Sequence, residues 1–396
     1  LSRRIAVTGI GMVSAIGNDV PGHLDSLKQG RTGISQLENF PSRYAGKIPV
    51  GEIKINTLIL SKELGLNNKG LTRTTLLAMK ALREAVVYSA LTPEIIASKE
   101  TAIINANTVG GMCLTDEMYA DSRPETPPSP YIPSYSFAAT AVFFQKFYGC
   151  KGIMNTINTA CSSSANSIMY GARLMRAGLA KRALVGGSDS MAKFTINGFN
   201  ALRILSNAPC RPFDANRNGL NLGEGAAYLV LEWEDDAQEK PIYGYVAGYG
   251  NTNDSHHASA LSSEGFGPSL AMQMALDSAG IPPKEINYIN AHGTATENND
   301  LVESVAMKKI FGEVPPFNSS KCLTGHTLGA AGALEACISL LCLKEQQIFP
   351  ATGFSQTIPE TGLIPETKLT GIPLRYIMSN SFGFGGNCSS LIFSKS

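Results

Sequence analysis

The sequence predicts an α/β protein made of two similar halves. Four landmarks recur in the same order along the chain, each a short apolar strand running into glycines or a polar loop. Two helical stretches mix large apolar residues with many Ala, Gly and Ser residues, a composition suited to close packing in an interior. A chain of 396 residues, 43% of them hydrophobic, is long enough for one large core or two packed domains.

The first pair of landmarks is RRIAVTGIG, which opens the first half, and IYGYVAGYG, just after Pro241. The second is TAIINANTVGG (101–111) with INYINAHGTAT (286–296), each an apolar strand ending in Asn-Ala. The third is GIMNTINTACSSSANSIMYGARLM with PPFNSSKCLTGHTLGAAGALEACISLL, each a short strand, a loop and a small-residue helix. The fourth is KRALVGGSD with RYIMSNSFGFGG. Strand followed by glycine is common, but four such matches in order imply a duplication, with halves at 1–240 and 241–396. A glycine weakens a helix by about 1 kcal/mol relative to alanine, so SSANSIMYGARLMRAG and GAAGALEACISLLCL are expected as central helices covered by sheets. MCLTDEMYADSRPETPPSPYIPSY (112–135) carries five prolines and reads as an irregular excursion. Residues 251–267 read as a polar loop, and a helix is expected over 268–279.

Basic and acidic residues number 33 and 32, and charged residues are 16% of the chain, which speaks against a nucleic-acid or membrane-surface protein. No run of 18 apolar residues occurs, so no membrane span is expected. The chain starts directly on a strand signal without a signal-peptide pattern, and the missing initiator methionine suggests trimming. Cysteines stand at 113, 150, 161, 210, 322, 337, 342 and 388, in no zinc-module spacing. No metal is expected, and a chain of this size needs no disulfide staples, which points to a reducing cytoplasm. Cys337 and Cys342 fall in a helical apolar pattern and read as core.

Cys161, in NTACSSSANSIMYGARLMRAG (158–178), sits between a strand-like run and the start of a helix. Unpaired N–H groups and the dipole at a helix N-terminus lower a thiol's pKa. On this stretch alone a small buried residue is an equal reading. Of five histidines, His292 follows the strand EINYIN and His326 precedes a helix in KCLTGHTLGAAG. Each alone also reads as a loop histidine with a structural hydrogen bond. By the repeat, Cys161 and His326 hold equivalent positions, and His292 the matching edge of its half. Open α/β sheets place ligands beyond the carboxyl ends of their strands, so the three residues are expected to meet in one cleft. A cysteine beside histidine is a nucleophile constellation.

The motifs TACSSS, NAHGTAT, KCLTGHTLGAAG and NSFGFGG (380–386), with RPFDANRNGLNLGEGAAYLVLE (211–232), resemble those of the elongating, decarboxylating β-ketoacyl-acyl-carrier-protein synthases. The resemblance runs from Arg4 to the C-terminus. It implies a thiolase-like fold, two α/β halves forming a five-layered αβαβα sandwich. It implies an acyltransferase that condenses malonyl carrier protein with an acyl group held on Cys161, in fatty-acid or specialised polyketide or polyene synthesis. By the same resemblance His292 and His326 stabilise the enolate, and Lys321 pairs with Glu303 in a charge network that includes Asp300. The backbone N–H groups of Cys161 and Phe384 form the oxyanion hole, and Phe384 gates the acyl tunnel. Thr294 and Thr296 hold the pantetheine arm, and Val109 lines the tunnel. No bound cofactor is implied, since the substrate rides on the phosphopantetheine of an acyl carrier protein. The partners implied are that carrier protein and a second subunit, in a homodimer or a heterodimer with a related chain. The segment 132–149 corresponds to part of the family's dimer interface and acyl-pocket wall.

Two departures stand out. The pair after GFGG is Asn387-Cys388 where the family usually has Thr-Asn. Around SKELGLNNKGLTRTTLLAMK basic residues are few, leaving Lys62, Lys69 and Arg73 as candidates for docking an acidic carrier. Both weaken an assignment to general fatty-acid synthesis and leave a dedicated carrier in a specialised pathway as an alternative to it. Two alternatives have sequence discriminators. A coenzyme A thiolase would use a second cysteine in a C-terminal glycine-rich loop, near Cys388, whereas HGTAT favours the Cys-His-His type. A non-catalytic partner subunit would lack the nucleophile.

Overall fold

A computed structural model describes residues 3–67, 69–114 and 129–395. Ten strands form the main sheet: β1 (Ile5–Ser14), β2 (Thr101–Ala106), β3 (Met154–Ile157), β4 (Arg182–Asp189), β5 (Gly225–Trp233), β6 (Gly244–Asn253), β7 (Tyr288–Asn290), β8 (Phe317–Asn318), β9 (Tyr376–Phe382) and β10 (Asn387–Ser394). Their order is β8-β7-β9-β10-β6-β1-β5-β4-β2-β3. Read outward from the centre, each half has its own first strand, then its fifth, fourth, second and third. The pairing types repeat too: antiparallel for first with fifth and fifth with fourth, parallel for fourth with second and second with third. Within the main sheet the two halves are joined by two residue pairs, Ala6 with Tyr245 and Val7 with Gly244. The duplication inferred from four landmarks is therefore a repeat of five strands.

The G-x-G at each first strand has a packing cause. A Cβ on Gly9 or Gly11 would lie 2.1 or 2.0 Å from the carbonyl oxygens of Ala85 and Ala81 on α1 (Arg73–Ser89). A Cβ on Gly248 or Gly250 would meet the carbonyls of Ala275 and Ala271 at 2.4 and 2.2 Å. Those residues lie on another outer helix, Phe266–Ala279. Each outer helix thus rests its backbone directly on its strand, which only glycine permits.

Helices α2 (Ala139–Tyr148), α3 (Ser163–Arg176), α4 (Phe266–Ala279), α5 (Glu297–Phe311) and α6 (Ala331–Glu345) complete the layers. Three apolar cores lie between them. α1 packs Leu76, Leu82 and Ala85 against Tyr228 and Val230 of β5. The opposite face of that strand sends Leu229 and Leu231 into a central core with Ile168 of α3 and Leu334, Ile338 and Leu341 of α6. α4 and α5 cover β7, β9 and β10 through Met272, Met307, Met378 and Ile392. This gives the αβαβα sandwich, with strands apolar on both faces as such a position demands. α3 and α6 form the middle layer, and every residue from Ala331 to Leu343 is buried. There Gly332 lets α6 approach Ala165 so closely that a Cβ would come within 2.7 Å of its amide nitrogen. Each large side chain in this layer is worth about 2–5 kcal/mol against alanine.

Cys337 and Cys342 lie in this core. The helix expected over 268–279 begins at Phe266. Of the proline-rich stretch, 115–128 lies outside the described residues. Ile132–Tyr135 forms a 3-10 turn ahead of α2 and leaves Ile132, Tyr135 and Phe137 exposed. Among the described residues no helix is long and apolar enough to cross a membrane.

Candidate active site

The strands that carry the site residues end at one place. Cys161 lies four residues beyond β3, His292 two beyond β7, His326 eight beyond β8 and Phe384 two beyond β9. The His326 backbone is held by the first half: its N–H donates to Asn221 O at 2.8 Å, and its carbonyl accepts from Gly223 N–H at 2.9 Å. This is one role of NLGEG. RPFD has another, since the Phe213 ring lies against Gly293, and the Phe213 N–H donates to Asp300 at 2.7 Å.

The sulfur of Cys161 and one ring nitrogen of each histidine all lie within 4.8 Å of one another. The rings of His292 and His326 stand edge to face, 5.4 Å between centroids. All three residues line a cavity of about 400 Å3, together with Thr294, Thr296 and Phe384. The Thr294 and Thr296 hydroxyls are 2.9 Å apart.

Hydrogen bonds assign the protons. His326 Nδ1 accepts from the Leu328 N–H at 3.3 Å, which leaves the proton on Nε2. That buried Nε2 has no partner among the described residues. His292 Nδ1 faces the Lys321 ammonium at 3.3 Å and is likewise the acceptor. Burial, with Lys321 nearby, holds both imidazoles well below their usual range. The site thus contains two neutral N–H donors. A sulfur and two imidazoles also form a soft metal-donor set, but protonated Nε2 atoms offer a metal no lone pair.

Four expectations need correction. Lys321 does not pair with Glu303. Its ammonium donates to Glu335 on α6, to the His292 carbonyl at 2.6 Å and to His292 Nδ1. Glu303 instead accepts the N–H groups of His292 and Gly293, each at 2.9 Å, and Asn380 Nδ2 at 3.2 Å. It shapes the loop rather than neutralising the lysine. Asp300 likewise takes the Ala295 N–H at 3.1 Å. The sequence signal for Glu335 was a lone carboxylate inside an apolar buried helix, which requires a partner.

The second correction concerns the thiol. Burial pushes Cys161 up to about 11, outweighing the lowering by Lys321 and by the backbone N–H groups of Phe384 and Cys161. Desolvation exceeds the helix-end effect because the residue is only 6% exposed. The third concerns Val109, which is fully buried and absent from the cavity lining. It packs in a cluster with Phe199, Ile204 and Leu220, which do line the cavity. Arg73, too, is no free docking residue: it makes a two-point ion pair with buried Glu224, at 2.9 and 2.7 Å. Lys62 and Lys69 are exposed.

The Phe384 ring stacks on Phe199, 5.7 Å between centroids and 18° from parallel, a contact sequence reasoning missed. Gly385 and Gly386 both have φ of 82°, a conformation that favours glycine. Cys388 faces the outer core of the second half and not the cavity.

Comparison with known proteins bears on this geometry. The β-ketoacyl synthase N-terminal domain family matches residues 2–237, and its C-terminal domain family matches 243–355. The chain is 34% identical to 3-oxoacyl-[acyl-carrier-protein] synthase 2 of Staphylococcus aureus (strain COL), over 100% of this chain and 99% of that protein. It is similar to the ishigamide ketosynthase/chain length factor structure, with TM-score 0.93, 28% identity and coverage of 100% and 99%. It is also similar to the AntDE:AntF structure, a type II PKS acyl-carrier protein in complex with its ketosynthase bound to the hexaketide. There the TM-score is 0.90, the identity 28% and the coverage 100% of both chains. The chain belongs to the β-ketoacyl synthase family of thiolase-like, decarboxylating condensing enzymes.

Proposed function

We propose that Cys161 accepts an acyl group from the phosphopantetheine thioester of an acyl carrier protein, and that His292 and His326 then direct decarboxylation of malonyl carrier protein. The observation that carries this reading is one thiol facing two neutral imidazole N–H donors across a buried cavity. In the first half-reaction the Cys161 sulfur attacks the acyl thioester carbon as its thiol proton is given up, and the pantetheine sulfur leaves and takes up a proton. The Phe384 and Cys161 N–H groups, which lie against the sulfur, stabilise the intermediate oxyanion. In the second, the malonyl carboxylate leaves as carbon dioxide, and its electron pair forms an enolate whose oxygen accepts from both Nε2–H groups. The enolate carbon attacks the acyl carbon, and the Cys161 thiolate is expelled. The product is a β-ketoacyl chain two carbons longer.

Lys321 acts from behind, holding His292 Nδ1, with Glu335 as its counter-charge. Glu303 and Asp300 fix the loop of His292, Thr294 and Thr296. The two threonine hydroxyls at the cavity wall are suited to the pantetheine amides. We divide the chain near residue 240, between the two five-strand repeats. Among the described residues seven buried cysteines form no disulfide, which favours a reducing cytoplasm.

The exposed Ile132, Tyr135 and Phe137 suit a subunit interface. Likeness to a ketosynthase/chain length factor favours a heterodimer in which this chain, which has the cysteine, is the active member. The test is a competition assay, with malonyl carrier protein and a mixture of saturated and polyunsaturated acyl carrier proteins, products read by intact mass. Preference for conjugated chains is expected, as for a specialised pathway. Equal use of acyl-coenzyme A without a carrier would overturn the carrier-dependent reading.

A further inference from the structure

Asn387 stands where the family usually has threonine, and its side chain ties together three separate segments. Its Oδ1 accepts from Ser162 Oγ at 2.7 Å, Asn166 Nδ2 at 2.9 Å and Asn251 Nδ2 at 2.8 Å. Ser162 is the residue after the nucleophile, Asn166 lies in the first turn of α3, and Asn251 is on β6. The amide orientations are fixed by the network. Asn166 Oδ1 accepts from Ser389 Oγ at 2.8 Å, so its Nδ2 faces Asn387 and Thr159 Oγ1. The Asn387 backbone does a second job: its carbonyl accepts the Gly383 N–H at 2.7 Å and closes the glycine turn that carries Phe384.

We propose that Asn387 is a positioning residue for acyl transfer, setting the spacing of the two N–H donors that stabilise its oxyanion. Those donors, from Cys161 and Phe384, come from opposite halves of the molecule, and among the described residues no backbone ladder joins them. The nucleophile's side is itself strained, since Ala160 has φ of 53°. The glycine turn's side approaches closely, as a Cβ on Gly383 would lie 3.2 Å from Cys161 N. Among the described residues, Asn387 is the one that holds the turn by its backbone and the nucleophile's helix by its side chain. A threonine hydroxyl sits one bond nearer the backbone and could not reach all three donors. The substitution therefore coincides with a contact set the usual residue could not make.

This inference rests on the two-step reading above, so both half-reactions are measured separately in the full-length enzyme. Self-acylation from acyl carrier protein is followed by intact mass, and decarboxylation of malonyl carrier protein alone by acetyl carrier protein formed. Wild type must do both; if it does neither, the functional reading fails before this one is reached. Asn387→Leu keeps the bulk and removes the acceptor. It should slow self-acylation at least tenfold and decarboxylation less than threefold, because the imidazole donors do not depend on the turn. Asn387→Asp, which keeps an acceptor oxygen in place, should recover most of the lost transfer rate. If Asn387→Leu does not fold, Asn387→Thr is read by the same split. Wild-type self-acylation in the folded variant, or equal loss of both half-reactions, would overturn the proposal.

Discussion

Replacing His326 by leucine keeps much of the ring's bulk and removes one N–H donor. The magnitude follows from where that donor sits. Nε2 is buried, carries the proton and has no partner among the described residues, which leaves it able to bond a substrate oxygen. Loss of one preorganised donor to a developing oxyanion costs about 3 kcal/mol, or roughly a hundredfold in rate. The assay is malonyl carrier protein alone, with carbon dioxide release and acetyl carrier protein measured from pH 5.5 to 7.5. His326→Leu should lower that rate about a hundredfold while self-acylation of Cys161 falls far less. The pH profile is a second, independent reading. Both imidazoles are held well below their usual range, so they stay neutral as the pH falls through 6.5. In the wild type the histidines should therefore add no acid limb centred near 6.5. A midpoint at that pH which disappears in His326→Leu, or a loss smaller than tenfold in that variant, would refute the tautomer argument.

Three further outcomes follow. Because burial raises the Cys161 thiol to about 11, its thiolate forms only as the pH approaches that value. Iodoacetamide labelling of Cys161, mapped by mass spectrometry, should rise about tenfold per pH unit between 7 and 9. A plateau below pH 8 would contradict this. Lys321→Met should strand the buried Glu335 carboxylate and cost about 3–5 kcal/mol in chemical denaturation, most of it recovered in the Lys321→Met, Glu335→Met double variant. Recovery by a change at Glu303 instead would restore the rejected pairing. Val109→Phe should overpack the cluster behind Phe199, Ile204 and Leu220 by about 1–3 kcal/mol and shift use toward shorter acyl chains, read as product mass distribution.

What was legible in the sequence had a local cause. The G-x-G pairs had to be glycine because a helix backbone lies on the strand, so the repeat survived as a visible pattern. Cys161, His292 and His326 stood out because each follows a short strand in a loop of small residues. The fifth strand of each half was harder to match. Gly225–Trp233 and Asn387–Ser394 share topology but no punctuating motif, one being an apolar run (GAAYLVLEW) and the other opening on small polar residues (NCSSLIFS). The misreadings share another cause. Lys321 and Glu335 are 14 residues apart on different helices, and only the fold chooses Glu335 over Glu303. The Cys161 thiol was judged by its helix end, yet the dominant influence is the dry cavity, which no local spacing encodes. The Asn387 clamp reaches 221 and 225 residues back along the chain, so the departure could be seen but its contacts could not.

The charges of the site explain why it is built dry. At rest Lys321 and Glu335 oppose each other in the centre, and the thiol and both imidazoles are neutral. On the reacting atoms, new negative charge develops during reaction, first on the oxyanion of acyl transfer and then on the enolate. Each meets its own pair of N–H donors: Cys161 and Phe384 for the first, His292 and His326 for the second. A solvated site would screen both pairs, whereas burial lets fixed dipoles act without reorganising. The same burial disfavours the free thiolate, so the resting enzyme is protected from stray electrophiles. On this account the nucleophile is activated within the loaded complex, where a polarised thioester lies beside the sulfur and the oxyanion donors take up the charge that the thiol alone could not keep.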